Sequence, residues 1–171
     1  RMTDADLPEV LALRRELIPE TNTRHELRAL DLRSARWWEQ LDLPRTRQEQ
    51  PVFLFTEGVL MYLEPQQVQA VLATFGERAP AGSVLAFDAM CWLAVGRAAQ
   101  HPSVRATGAE FHWGLRKTAE LTQAHPRLRL DATYRVLEGF GLAYTLFAPL
   151  VLMLLGVPLY AVYVLSVADN A

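Results

Sequence analysis

Residues 52–88, VFLFTEGVLMYLEPQQVQAVLATFGERAPAGSVLAFD, decide the fold of the chain. Val52–Thr56 is a continuous apolar run of strand length, which predicts a strand buried on both faces. A helix is predicted to begin at Pro65, because apolar residues then recur at helical spacing, namely Val68, Val71, Leu72 and Phe75. Val84–Phe87 predicts a second buried strand, which ends at Asp88. Strand, helix and strand at this spacing predict a βαβ unit and a parallel sheet.

Upstream of this unit the same alternation is visible. A helix is predicted to begin at Pro8, with Asp6 as a plausible cap, and to end at Pro19. His25–Leu30 alternates at period two, which is typical of a strand. Ser34–Leu41 is a candidate short helix with its two tryptophans on the buried side. Elements that alternate in this order favour an α/β protein with a mostly parallel sheet and helices on both faces.

Downstream the pattern is weaker. Met90–Gln100 is interpreted as a helix and His101–Gly114 as a loop. Thr118–Ala124 predicts a short helix, and Leu128–Val136 alternates well enough for a strand. There is no internal repeat and no linker that would divide the chain, so residues 1–171 are interpreted as a single domain.

Residues 142–168 carry no charged side chain, and about 20 apolar residues can span a bilayer. A membrane anchor over 142–168 is therefore one hypothesis. Three features oppose it: the run is broken by Pro149, Gly156 and Pro158, no Lys or Arg cluster flanks it, and its last part is rich in β-branched and aromatic residues. The preferred interpretation is a buried helix near Leu142–Leu155, followed by a central strand from about Leu159 to Val167, with no membrane partner.

The composition excludes several classes of function. With 17 Lys and Arg against 19 Asp and Glu, the net charge is −2, which gives no electrostatic footprint for nucleic acid. The lone cysteine, Cys91, indicates a reducing compartment, hence a cytoplasmic location, and favours a small core residue over a nucleophile. The four histidines share no short spacing, so no metal site is expected.

Four acidic residues follow the predicted strands directly or after one residue: Asp6, Asp31, Glu57 and Asp88. In an open parallel sheet, ligands bind beyond the carboxyl ends of the strands. Carboxylates gathered there would suit a ribose diol, an exocyclic amine or a cationic centre, and would repel a phosphate. The alternative is that such residues are helix caps or solvated turns, and for Asp88 that alternative is favoured. Neither a phosphate-binding glycine loop nor a G-x-S-x-G elbow is present.

The segment Thr56–Leu63, TEGVLMYL, resembles the leucine carboxyl methyltransferase and polyketide (tetracenomycin-type) O-methyltransferase family, which carries a similar E-G-V-L-x-Y-L segment after its fourth strand. Ala5–Val10 looks like the acidic turn after that family's second strand, and Leu30–Leu32 looks like its D-L step after the third. Phe111–Gly114 and His125–Leu130 are similar to segments of its C-terminal half. The resemblance implies a class I, Rossmann-like methyltransferase fold and S-adenosylmethionine-dependent methyl transfer to oxygen.

By this resemblance, Asp6 would bind the ribose hydroxyls, and Asp31 with the backbone of Leu32 would hold the adenine. Glu57 would face the cationic methionine end of S-adenosyl-L-methionine. Tyr62 is a candidate contact for the acceptor oxygen, although from the residues alone it is equally well explained as a core aromatic. His112 is the least implausible general base, and a packing or surface role is the commoner one for such a histidine.

The resemblance also predicts elements that this chain does not contain. The family's first strand and its glycine-rich loop would precede Arg1, so residues 1–171 are expected to be a partial methyltransferase domain. The expected acceptor is a hydroxyl or carboxyl of a small, polyketide-like molecule. The alternative function is a non-catalytic remnant of the fold that serves as an interaction domain. Nothing in the sequence indicates the oligomeric state.

Overall fold

The computed structural model of the protein describes residues 2–18, 25–100, 104–137 and 141–169. Its N-terminal part is a parallel two-stranded ladder, in which β1 (Met2–Asp6) pairs with β2 (His25–Ala29). Helix α1 (Pro8–Leu17) connects them, and Pro8 stands in its first turn, where a missing N–H is harmless. The predicted strand at His25–Leu30 and the predicted helix start at Pro8 are confirmed. Pro19, the predicted end of the helix, lies outside the described residues.

The larger sheet has four strands in the order β3–β4–β6–β5. They are β3 (Phe53–Thr56), β4 (Val84–Met90), β5 (Leu128–Arg135) and β6 (Tyr160–Val167). Strands β3 and β4 are parallel and are joined through α3 (Pro65–Arg78), as the βαβ prediction requires. Strand β6 runs antiparallel between β4 and β5, so the predicted central position of the last strand is confirmed.

The remaining helices are α2 (Trp37–Gln40), α4 (Ala119–Gln123) and α5 (Leu142–Leu155), all close to their predicted ranges. The predicted helix over Met90–Gln100 is wrong. Strand β4 continues to Met90, and two 3₁₀ turns follow it at Trp92–Ala94 and Ala98–Gln100. Gly96, with φ of +70°, separates the two turns, and a residue in that conformation cannot continue a right-handed helix.

The core lies between the four-stranded sheet and α3. The helix buries the four residues whose spacing predicted it, Val68, Val71, Leu72 and Phe75. They pack with Leu85 and Phe87 of β4, and Phe87 stacks on Tyr163 of β6 at 6.0 Å between ring centroids. Cys91 is buried in the same cluster, as its interpretation as a core residue predicts.

The C-terminal end of α3 is held by residues that precede β5. The Arg127 guanidinium is buried and donates to the carbonyl oxygens of Gly76 (2.9 Å) and Ala168 (3.1 Å). His125 packs directly on Gly76, where an added Cβ atom would lie 2.5 Å from the His125 Cβ. These contacts tie α3 to the end of the β5–β6 pair at which β5 begins and β6 ends.

Two burial predictions are wrong. Strand β3 pairs only with β4 among the described residues, and Phe53 and Phe55 are 69% and 57% exposed instead of buried. The described side chains of α5 are also largely exposed, and Phe147, Met153 and Leu154 all face outward. Among the described residues, no helix is both long and apolar enough to cross a membrane.

Candidate active site

The β1–β2 ladder brings two of the predicted carboxylates to one end. Asp6 is the last residue of β1, and its carbonyl oxygen accepts a hydrogen bond from Leu30 N–H at 2.8 Å. Its exposed carboxylate accepts from the N–H of Leu7, the residue that precedes α1, also at 2.8 Å. Asp6 therefore sits at the start of α1 as well as at the end of β1, and within the described part of the chain its other carboxylate oxygen accepts no hydrogen bond.

Asp31 stands in the turn after β2, where its carboxylate accepts hydrogen bonds from Arg33. Backbone N–H and side-chain Nε donate to Oδ1, both at 2.9 Å, and Nη2 donates to Oδ2 at 2.7 Å. These bonds hold the pKa of Asp31 below its usual range, so the group is an ionised acceptor at neutral pH. Leu32, next to it, is half-buried and packs against the main core, which fixes the turn.

Glu57 directly follows β3 and is exposed. The next residue, Gly58, has a φ of +65°, a conformation that favours glycine and turns the chain sharply away from the strand. On the strand side of the turn, the Thr56 hydroxyl is buried and has no hydrogen-bond partner among the described residues. The carboxyl end of β3 thus presents an exposed carboxylate beside an unsatisfied hydroxyl.

The prediction that Asp88 follows a strand is wrong. Strand β4 extends through it to Met90, because Asp88, Ala89 and Met90 all pair with β6. Asp88 is only 2% exposed and belongs to the interior of the sheet. Its Oδ1 accepts from Gly58 N–H and its Oδ2 from the Tyr160 hydroxyl, each at 2.8 Å. Asp88 is therefore not one of the groups that face a ligand.

Tyr62 ends the 3₁₀ turn Leu60–Tyr62, which follows the Glu57–Gly58 turn. Its ring is half-buried and lies 5.4 Å from that of Phe111. We call the surrounding residues the Tyr62 cluster: Met61, Ala98 and Phe111 are buried, and Tyr62, Met90, Ala94, Val104 and Tyr160 pack against them. Both interpretations of Tyr62 are compatible with this placement, since the ring is packed and still partly accessible.

The segment around His112 is attached to this cluster through the backbone. The N–H groups of His112 and Trp113 both donate to the carbonyl oxygen of Met61, at 2.9 and 3.1 Å. The imidazole itself is exposed, and its Nδ1 lies 3.4 Å from a carboxylate oxygen of Glu64. The two side chains together provide a partly solvated position at which a proton can be accepted or donated.

The structure brings the predicted residues together in two groups. Asp6, Asp31 and Leu32 share the end of the β1–β2 ladder, while Glu57 and Tyr62 follow β3. The two sheets are not hydrogen-bonded to each other within the described residues. Sequence reasoning missed Tyr160, whose apolar surroundings in the sequence predicted a strand but could not predict the register that sets it opposite Met90.

The carboxylates that remain exposed or half-exposed, Asp6, Asp31 and Glu57, form a set of hydrogen-bond acceptors that fits a ligand rich in donors or positive charge. A ribose diol, an adenine amino group and a sulfonium with an ammonium group have these properties. Among the described residues, no three His, Cys, Asp or Glu side chains are grouped as a metal site would require. The geometry therefore fits an organic cation with hydroxyl groups.

Residues 1–76 match the family model of the leucine carboxyl methyltransferases. The chain is also 30% identical over 140 residues to the tetracenomycin polyketide synthesis O-methyltransferase TcmP of Streptomyces glaucescens. That alignment covers 82% of this chain and 49% of TcmP, so the chain spans about half the length of this curated relative.

Solved structures show the same fold. An S-adenosylmethionine-dependent methyltransferase from Mesorhizobium loti superposes with a TM-score of 0.56 at 14% identity, over 96% of this chain and 79% of that one. The O-methyltransferase NcsB1 of neocarzinostatin biosynthesis, solved with S-adenosyl-L-homocysteine and 1,4-dihydroxy-2-naphthoic acid, gives 0.51 at 16% identity, over 96% and 41%. The architecture is that of the class I methyltransferases. The chain is therefore similar to the leucine carboxyl methyltransferases and to a tetracenomycin-type polyketide O-methyltransferase.

Proposed function

We propose that this protein is an S-adenosylmethionine-dependent O-methyltransferase whose acceptor is a hydroxyl or carboxyl group of a small, polyketide-like molecule. The observation that carries the proposal is the set of three exposed or half-exposed carboxylates at the carboxyl ends of β1, β2 and β3 on a methyltransferase fold. The class of reaction is supported by two similar proteins, since TcmP is a polyketide synthesis O-methyltransferase and NcsB1 is an O-methyltransferase of neocarzinostatin biosynthesis.

In this proposal Asp6 accepts hydrogen bonds from the ribose hydroxyls, and Asp31 accepts from the adenine amino group beside the Leu32 backbone. Asp31 is suited to the role because it is ionised, and its partner Arg33 is exposed, so the pair is weak and can open for a ligand. Glu57 complements the positive charge of the methionine end. When bound, S-adenosylmethionine supplies a methyl group on a sulfonium, positioned for in-line displacement by the acceptor oxygen.

The Tyr62 cluster is proposed to hold the acceptor. Its aromatic and apolar side chains suit a flat, largely apolar molecule, and the Tyr62 hydroxyl supplies a polar contact at its partly accessible edge. A carboxylate acceptor is already a nucleophile. A phenol must lose its proton, for which His112 with its partner Glu64 is the candidate base. The dihydroxynaphthoic acid in the NcsB1 complex supports an aromatic acceptor of this kind.

Two further expectations belong to the proposal. Residues 1–171 belong to a single methyltransferase domain, and the protein acts in the cytoplasm. The second is supported by Cys91, a buried free thiol of the kind that persists in a reducing compartment.

The test is calorimetric titration of S-adenosylhomocysteine into the full-length protein. Asp31→Ala is expected to raise the Kd at least about tenfold, because a ligand hydrogen bond to a charged group is lost. Glu16→Ala is the matched control, since Glu16 is an exposed carboxylate on α1, away from the strand ends. Absence of binding by the unmodified protein, or an unchanged Kd in Asp31→Ala, would contradict the proposal.

A further inference from the structure

Asp88 is a buried charged residue in a strand that is otherwise apolar. Its neighbours in β4, Leu85, Ala86, Phe87 and Ala89, are all buried. Removing a carboxylate from water is costly unless its oxygens are hydrogen-bonded. Both oxygens of Asp88 meet that condition, and the two donors come from different elements, the turn after β3 and the first residue of β6. The arrangement links three strands at the edge of the sheet where the candidate site lies.

The first donor, Gly58 N–H, belongs to the turn that carries Glu57. A glycine with positive φ allows this turn but does not hold it, because glycine has the largest conformational freedom of any residue. The hydrogen bond to Asp88 is the contact that fixes the backbone of the turn to the adjacent strand, at 2.8 Å. Glu57 is the residue directly before Gly58, so fixing the Gly58 backbone also restricts the direction of the Glu57 side chain.

The second donor is the Tyr160 hydroxyl, whose ring packs in the Tyr62 cluster. Burial, reinforced by the bond to Asp88, raises the pKa of Tyr160 well above its usual range, so the hydroxyl stays protonated and remains a donor. One carboxylate therefore connects the Glu57–Gly58 turn with the Tyr62 cluster.

We propose that Asp88 is a positioning residue, which fixes the Glu57–Gly58 turn for the cofactor and ties that turn, through Tyr160, to the Tyr62 cluster. The inference rests on the proposed function, which assigns Glu57 to the cofactor. Asp88 itself does not touch a ligand, and it acts through the backbone of Gly58 and the ring of Tyr160.

The experiment compares Asp88→Ala and Asp88→Asn with the full-length unmodified protein in two measurements. The first is hydrogen–deuterium exchange of the Gly58 amide, followed by NMR without any ligand. The second is the Kd for S-adenosylhomocysteine, measured at a temperature where each variant is folded. In Asp88→Ala we expect the Gly58 amide to exchange at least about tenfold faster and the Kd to rise about tenfold, the scale of one hydrogen bond to a charged group.

Asp88→Asn keeps an acceptor for Gly58 N–H, so it is expected to restore slow exchange and to raise the Kd less than about threefold. Leu85→Ala is the matched control for loss of stability, because Leu85 is buried in the same strand and is paired with Leu54, which precedes the turn. This variant should lower the melting temperature. The Kd and the Gly58 exchange rate, once corrected for global unfolding, should stay unchanged.

The outcomes separate this inference from the proposed function. Unchanged Gly58 exchange in Asp88→Ala overturns the positioning role, and so does faster exchange with an unchanged Kd. An equal rise of the Kd in Leu85→Ala also overturns it, since stability alone would then explain the effect. Absence of binding by the unmodified protein overturns the proposed function, while the Gly58 exchange rate still decides whether Asp88 holds the turn.

Discussion

The β1–α1–β2 region and the four-stranded sheet with α3 share the strand–helix–strand pattern but differ in how they are stabilised. In α1 the buried residue is Leu11, whereas α3 buries a full apolar face against β4 and β6. The carboxylates follow the same division: Asp6 and Asp31 are accessible at the end of the small ladder, and Asp88 is enclosed in the large sheet. The difference indicates that the large sheet carries most of the stability, whereas the small ladder, like the end of β3 with Glu57, presents accessible carboxylates.

The largest expected effect tests this division of stability. Phe75→Ala in α3 removes a fully buried ring and is expected to lower the free energy of unfolding by about 3–5 kcal/mol. Leu17→Ala in α1, where the side chain is 70% exposed, is expected to change it by less than about 0.5 kcal/mol. Urea denaturation followed by circular dichroism measures both. Similar losses in the two variants would mean that the two regions are equally important for stability.

A smaller effect is expected from close packing at the end of α3. Gly76→Ala would normally favour a helix, but the new Cβ would lie 2.5 Å from the His125 Cβ, which cannot move without its backbone. Overpacking of this kind costs about 1–3 kcal/mol. His125→Gly removes the clashing Cβ together with the ring, so adding Gly76→Ala to His125→Gly should cost little in the same denaturation experiment. A large loss on adding Gly76→Ala to His125→Gly would show that the contact is not the cause.

The smallest effect concerns pH. Burial, with the nearby charges of Arg127 and Arg47, lowers the pKa of His125 in the folded protein. The unfolded chain then binds more protons than the folded one just below the ordinary histidine pKa of about 6.5. The His125 contribution to stability is therefore present above that pH and is lost as the pH falls through the folded-state value.

This loss should amount to less than about 1 kcal/mol between about pH 7.5 and 5.5, because the ring is partly solvated. His125→Gln should flatten the curve of unfolding free energy against pH in this range. Asp31 of the small ladder, whose pKa is lowered by Arg33, adds to the pH dependence only below the ordinary pKa of aspartate, where its stabilising contribution is lost as the pH falls. An unchanged slope in His125→Gln would assign the pH dependence to other groups.

The helices and strands of this fold can be predicted from local patterns in the sequence. Which of their residues are buried by neighbouring elements cannot. The period of apolar residues from Val68 to Phe75 gives helix α3 and its buried face, because both depend on neighbours within two turns. The exposure of Phe53 and of α5 depends on which strands and helices lie alongside, and composition alone carries no information about that. An apolar run was therefore a good predictor of strand or helix and a poor one of burial.

The candidate site shows the same limit. Glu57 and Asp31 could be placed at strand ends because a strand that stops at a turn is visible in the sequence. The end of β4 could not, since it is decided by the pairing of Met90 with Tyr160, and Tyr160 lies 72 positions beyond Asp88. Asp88 is consequently an interior residue, neither the cap or solvated turn residue that the sequence favoured nor a ligand-facing group, and Tyr160 was not identified at all.

The order of the strands has a consequence for the time course of folding. Strand β6 is the last strand in the chain, yet it lies between β4 and β5 and supplies pairing partners to both. During synthesis β4 and β5 therefore have no hydrogen-bonded neighbour between them until residues 160–167 have left the ribosome. Pairing at such sequence separation is intrinsically slow. The Asp88–Tyr160 bond, and with it the link between the Glu57–Gly58 turn and the Tyr62 cluster, is thus a late event that follows completion of the sheet.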